Sequence, residues 1–196
     1  LFLVIPLLGF ANSAVSGATQ TTSDSKNENT MQNSNANRKF ALVIHGGAGV
    51  VSRESIPVAD AKLMHIDLNK ALDAGYQVLS NGGSALDAVT ASIVVLEDSP
   101  WFNAGKGAVF NSDGGHELDA SVMEGHTRRA GAVAGVTTIK NPILLARNVM
   151  EKSPHVMLAG EGAEKFADTQ KEIERVDPKY FDTERRMAFS GNFEEL

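Results

Sequence analysis

Ser99-Pro100-Trp101-Phe102-Asn103-Ala104-Gly105-Lys106-Gly107-Ala108-Val109-Phe110 is the stretch whose residue types point most directly to chemistry. A proline, two glycines and an asparagine force an irregular path, and a loop of that kind turns carbonyl oxygens inward, where something must satisfy them. Either a cation or a catalytic centre could do so. The bland alternatives are a loop held by hydrogen bonds and water alone, and Asn103 as a turn residue favouring a left-handed backbone. A second glycine cluster, His45-Gly46-Gly47-Ala48-Gly49, permits positive φ and close approach to the backbone. It lacks the G-x-G-x-x-G spacing, and no helix opens at Val50 to Ser55, so a dinucleotide cradle is disfavoured. His45 has no Ser or Asp beside it to build a triad and reads as structural. His116, Glu117, Asp119 and His126 are ligand types, yet on a strand Glu117 and Asp119 share one face while His116 points to the other, which argues against a compact metal site. Arg128-Arg129 reads as a solvated turn. The chain contains no cysteine, which removes thiol nucleophiles, disulfides and thiolate metal sites together.

The elements that would position these residues follow from patterning. Phe40 to Ile44 is an apolar run that predicts a strand covered on both faces. A helix from about 57 to 80 carries Met64, Leu68, Ala71, Leu72, Val78 and Leu79 on one stripe and stops at Asn81-Gly82-Gly83. Ser84 with Asp87 three later caps a second helix, whose buried face is Leu86, Val89, Ile93 and Leu96. That helix opens into the Ser99–Phe110 loop. Strands are expected at 107–110, 118–123 and 131–139, with a hairpin turn at Ser112-Asp113-Gly114-Gly115. The last strand is so rich in Gly and Ala that another layer should pack closely on it. Asn141 as N-cap and Pro142 in the first turn start a helix to about Lys152, and a short helix spans about 160–167. The order gives an α+β class, a sheet sandwich with helices outside.

The chain has 196 residues, of which 42% are hydrophobic. That is enough for one ordinary domain with a sizeable core. A net charge of −6 argues against a nucleic-acid partner, which needs clustered Lys and Arg. Residues 1–18 read as a secretory signal peptide, apolar from Leu1 to Phe10 and then small-residue-rich, lacking its basic start and initiator Met, so that the chain reads as truncated there. Ten apolar residues are too few for a membrane span. Residues 19–39 are a polar, disordered linker. The predicted location is therefore secreted or periplasmic. The folded core is expected over 40–167, with 168–196 a flexible, charge-dense tail.

Taken together, these motifs carry a resemblance. His45-Gly46-Gly47-Ala48-Gly49, Ser84 to Val89, Phe102-Asn103-Ala104-Gly105-x-Gly107-Ala108-Val109-Phe110, Glu117-Leu118-Asp119-Ala120, Gly131 to Val136, Asn141-Pro142, Ser153 to Met157 and Gly160-Glu161-Gly162-Ala163 occur in one order. Over about 40–167 the chain resembles the α subunit of plant-type asparaginases, also called isoaspartyl peptidases. The resemblance implies the αββα sandwich of N-terminal-nucleophile hydrolases, of which this chain is the α-subunit half. It implies a precursor that cuts itself to expose a Thr, hydrolysis of L-asparagine or β-aspartyl dipeptides, and a β subunit from the same precursor in an (αβ)2 heterotetramer. No catalytic cofactor, nucleic acid or membrane is implied. Main-chain carbonyls of Leu96, Glu97, Ser99, Phe102, Ala104 and Lys106 would hold a structural sodium ion; the Lys106 ammonium would oppose that ion unless it points to solvent. Asn103 would support the nucleophile region, and Gly46 and Gly47 a strained loop that assists self-cleavage.

The Gly-Thr-Val-Gly-like motif that carries the family's nucleophile is not in this sequence, and Thr127, Thr137 and Thr138 do not have that setting. The sequence therefore predicts a chain inactive by itself and ending at a tail that leads to the cleavage site. A glycosylasparaginase, a non-enzymatic secreted binding domain and a nucleotide-binding enzyme are the rival readings.

Overall fold

Ser84 fixes the helical hairpin that dominates the N-terminal half of the fold. Its hydroxyl accepts from the Asp87 N–H at 3.0 Å and donates to the Asp87 carboxylate at 2.7 Å. The first of these is the N-cap bond its spacing predicts, and the second holds the Asp87 carboxylate on the same hydroxyl. The computed structural model describes residues 5–6, 40–47 and 56–190. Helix α1 (Val58–Ser80) ends where Gly82 takes φ +83°, and α2 (Ala85–Glu97) runs back antiparallel to it. The two helices touch at Gly75, where a Cβ would lie 2.9 Å from the Ala88 carbonyl and would strike the Ser92 hydroxyl. Ser92 in turn donates to the Ala71 carbonyl at 2.8 Å.

Strand β1 (Ile5–Pro6) pairs antiparallel with β2 (Leu42–Val43). The main sheet has the order β3 (Leu118–Met123), β4 (Ala130–Val136), β5 (Met157–Ala159), antiparallel between β3 and β4 and parallel between β4 and β5. Helix α3 (Pro142–Lys152) covers one face of it and α4 (Gly160–Asp168) packs at β4 and β5. In β3, Leu118, Ala120 and Val122 are buried and Asp119, Ser121 and Met123 exposed, the predicted alternation. The core joins Val89 and Ile93 of α2 to Val133 and Val136 of β4 and to Ile143, Leu145 and Val149 of α3. The close layer predicted for β4 is α3: a Cβ on Gly131 would collide with the Ala146 carbonyl and lie 2.6 Å from the Met150 nitrogen. Among the described residues no helix is long and apolar enough to cross a membrane.

Four expectations are corrected. The run from Phe40 yields a two-residue strand with alternating burial, and Val43 is 62% exposed, so it is not covered on both faces. Residues 107–110 form no strand; a 3-10 turn at Gly105–Gly107 is followed by irregular chain, because the Val109 N–H is taken by the Asn103 side chain and not by a neighbouring strand. Asn141 stands at the N-cap of α3 but its side chain does not cap; it donates to Asp98 at 3.1 Å, and the Glu97 carboxylate takes the Ile143 N–H at 3.0 Å. Residues 169–190 are not a loose tail. Ile173 and Phe181 are buried in the core, Arg175 bridges Ile139, and a 3-10 turn (Pro178–Phe181) leads into α5 (Glu184–Ser190). Their few apolar residues are spaced irregularly among charges, which hides them from a periodicity argument. The predicted signal peptide (beyond Ile5–Pro6), the linker 19–39, residues 48–55 and the last six residues lie outside the described residues.

Candidate functional site

Phe102 anchors the loop that follows α2. It is 3% exposed and packs with Ala71 and Leu96, with Ile44, Met64, Leu68 and Trp101 around them. The same ring meets Gly46, since a Cβ there would lie 3.2 Å from the Phe102 ring and 3.3 Å from Leu68. Gly47 has φ +115°, in the region that favours glycine, and its N–H donates to His45 Nδ1 at 3.1 Å. His45 thus has a local backbone role, in keeping with its lack of triad partners. Ser99 ties the loop to α1, donating to Asp67 at 2.7 Å, and Asp67 also pairs with Lys70.

Within the loop, carbonyl oxygens crowd two glycines. A Cβ on Gly105 would collide with the Glu97 carbonyl, and one on Gly107 would collide with the Phe102 carbonyl and lie 2.9 Å from that of Ser99. Three of the six predicted oxygen donors therefore gather around one short turn. The Leu96, Phe102 and Ala104 carbonyls also accept from the N–H groups of Ser99, Ala104 and Gly107 at 3.3, 2.9 and 3.0 Å. Each carbonyl has a second lone pair, so those bonds leave acceptor capacity. The Lys106 ammonium lies over the Tyr180 ring, 5.3 Å from its centroid. Its charge is therefore held against an aromatic face and not turned freely to solvent. Oxygen donors of this kind fit a hard monovalent cation. Among the described residues no group of three His, Asp or Glu side chains could hold a metal.

Asn103 Oδ1 accepts from the Val109 N–H at 3.0 Å and so closes the loop upon itself. Its backbone does not have positive φ; among the described non-glycine residues only Arg128 does, in the exposed turn that was expected there. Asn103 lines a cavity of about 20 Å³ together with Glu97, Ala104, Asp119, Ser121 and Ile143. That is room for about one water molecule. Asp119 uses Oδ1 to accept from the Gly135 N–H at 2.9 Å, beside the register shift between Leu118 and Ala120. His116, Glu117, Asp119 and His126 do not converge. His116 is buried, with Nδ1 3.2 Å from the Val109 carbonyl and Nε2 3.1 Å from Asp182, while the other three are exposed. Thr137 and Thr138 donate to Glu164, and Thr127 to Glu124.

The Glu97 side chain, Asp182 and Arg186 escaped the sequence reading. Arg186 donates from Nε to the Gly107 carbonyl at 2.7 Å, across 79 residues of chain. Glu97 is 3% exposed; one oxygen caps α3 and the other, Oε2, is buried facing Asn141 without a well-formed hydrogen bond. Burial pushes its pKa up to about 8, although the Ile143 N–H favours the ionised form. An acid directly before a proline- and glycine-rich loop is visible in the sequence as a residue, but its burial is not.

The sign of the linkage is definite. The folded-state value lies above the unfolded value, so Glu97 contributes stability that is complete below about pH 4.5 and is lost as pH rises to about 8. Glu97→Gln, which cannot ionise, is expected to flatten that dependence and to be the more stable protein above about pH 8. Urea unfolding at a series of pH values checks this.

The profile of the family described as "Asparaginase" (Asparaginase_2) matches residues 38–193, which take in the whole loop and both glycine clusters. An isoaspartyl peptidase of Escherichia coli is 51% identical over 149 residues, 76% of this chain and 46% of that protein. A plant-type L-asparaginase of Pyrococcus abyssi is 52% identical over 128 residues, 65% of this chain and 40% of its own length. An isoaspartyl peptidase/L-asparaginase of Rattus norvegicus is 48% identical over 128 residues, 65% of this chain and 37% of its own. The chain thus spans less than half the length of these curated relatives.

Proposed function

Because this chain belongs to the asparaginase family, we propose that it forms the α-subunit half of an autoprocessing amidohydrolase acting on L-asparagine and β-aspartyl dipeptides. The observation that carries the reading is the family match over residues 38–193, which spans a loop whose carbonyls crowd Gly105 and Gly107 and whose Asn103 closes it. The nucleophile is a Thr at the start of a β subunit cut from the same precursor. Its free α-amine takes the hydroxyl proton and the oxygen attacks the side-chain carbonyl; ammonia, or the second amino acid of the dipeptide through its α-nitrogen, leaves with that proton, and water then releases aspartate from the acyl-enzyme.

On this reading Asn103 supports the nucleophile region and Gly46 and Gly47 form part of the bend that strains the scissile bond. Carbonyls of Leu96, Glu97, Ser99, Phe102, Ala104 and Lys106 would hold a sodium ion, which when bound contributes charge that keeps the loop in shape and no redox or Lewis-acid step. The αββα sandwich has physical support in the face of the main sheet turned away from α3. Ser121, Met123, Ala132, Ala134, Met157 and Ala159 share that face, small or apolar and at least partly exposed, as a surface awaiting a second sheet would be. Assembly into (αβ)2 and export by the apolar N-terminal segment belong to the same proposal.

The protein expressed with its downstream coding sequence separates the substrates. It should release ammonia from L-asparagine and aspartate from a β-aspartyl dipeptide, with little action on a glycosylated asparagine. The reverse order of rates would assign it to the sugar-linked class instead, and no hydrolysis of any of the three would favour a binding domain.

A further inference from the structure

We propose that His116 is a positioning residue that, as an imidazolium, fixes Asn103 through Val109 and is itself held by Asp182. The hydrogen bonds form a continuous chain. Asp182 Oδ1 lies 3.1 Å from His116 Nε2, His116 Nδ1 lies 3.2 Å from the Val109 carbonyl, and the Val109 N–H donates to Asn103 Oδ1 at 3.0 Å. Val109 is thus gripped on both sides of its backbone, and Asn103 is the end of the chain. An ionised carboxylate and a carbonyl are both acceptors, so only the doubly protonated ring satisfies both partners. Loss of one proton breaks one link.

The ring cannot escape into water to relieve this. Its side chain is 2% exposed, with the Phe110 ring at 4.3 Å and the Phe181 ring at 6.1 Å between centroids. Asp182 is the carboxylate in contact. On its segment Lys179 and Glu184 are exposed, Arg185 lies over Trp101 and Arg186 donates to the Gly107 carbonyl. On the loop side Lys106 lies over Tyr180, and Asp113 and Glu117 are exposed. The segment 178–188 therefore acts as a strap. Phe181 is its buried anchor, and Asp182 and Arg186 are its two polar grips on the chain between Gly107 and His116.

The inference rests on the proposed function only for what Asn103 does; the chain of bonds can be read without any turnover. The test is amide hydrogen exchange in the full chain, because the Val109 amide is itself the donor to Asn103. In His116→Phe, which keeps an aromatic ring, exchange at Val109 should quicken about tenfold, the worth of one hydrogen bond. Exchange at Gly115, which donates to Asn111 at 2.9 Å, should stay unchanged. His116→Gln, which can still donate to the Val109 carbonyl, should recover most of the protection. Asp182→Ala, which removes the acceptor 3.1 Å from His116 Nε2, should quicken Val109 exchange as well. Unchanged Val109 exchange in His116→Phe overturns the proposal. If that variant does not fold, unchanged Val109 exchange in Asp182→Ala overturns it equally.

Discussion

Gly107→Ala is expected to destabilise the fold by about 4 kcal/mol and to abolish any response of stability to sodium. The position has ordinary φ, so the effect is steric alone. A Cβ there would collide with the Phe102 carbonyl and lie 2.9 Å from the Ser99 carbonyl and 3.0 Å from the Pro100 carbonyl carbon. None of these is the end of a flexible side chain. Relief would require the turn to open, which would pull Phe102 from its cluster with Leu96 and Ala71 and displace the carbonyl that receives Arg186. In a domain of this size the thermal midpoint should drop by roughly 8–16 °C. With sodium chloride set against choline chloride at equal ionic strength, the parent's midpoint should be higher in sodium. The variant's should be the same in both. Equal midpoints for the parent would remove the ion from the account while leaving the steric prediction standing.

Gly131→Ala is the second large effect, and it strikes the layer beneath the site. Gly131 lies in β4 opposite Val122, and α3 sits so close that a Cβ would collide with the Ala146 carbonyl and lie 2.7 Å from the Met150 Cβ. Helix α3 contributes Leu145, Ala146 and Val149, all fully buried, so it cannot shift without opening the core. The expected outcome is loss of a cooperative urea transition, or a midpoint lowered by an amount equivalent to at least about 3 kcal/mol. Gly125→Ala supplies the contrast, having open space around it and no positive φ. Its stability should be within about 0.5 kcal/mol of the parent's.

Those glycines also show what the sequence makes legible. The small residues of β4 announce a close layer, and Ser84 with Asp87 announces the start of α2, because both signals are local. The stripe on α1 and the stop at Gly82 are legible for the same reason. What escapes is long-range. The cap of α3 comes from Glu97, 46 residues before Ile143, and so Asn141 looks like the cap. The Gly107–Phe110 segment has strand composition, but Asn103 consumes the Val109 N–H that a ladder would need. Strand β5 is three residues long, below the length at which alternation means anything. At the site, the loop and its glycines are visible as residue types, whereas the strap from Tyr180 to Arg186 is hidden in a charge-dense stretch with no periodicity.

On the proposed function, this chain holds half of an amidase site: a shaped loop and Asn103, with the nucleophile supplied by another polypeptide. Ammonia release from L-asparagine tests it most directly, measured on this chain alone and again after co-expression with the β subunit that the proposal requires. The expected result is none from the chain alone, turnover from the pair, and a large loss of that turnover in Asn103→Ala. Turnover by the chain alone would contradict the account.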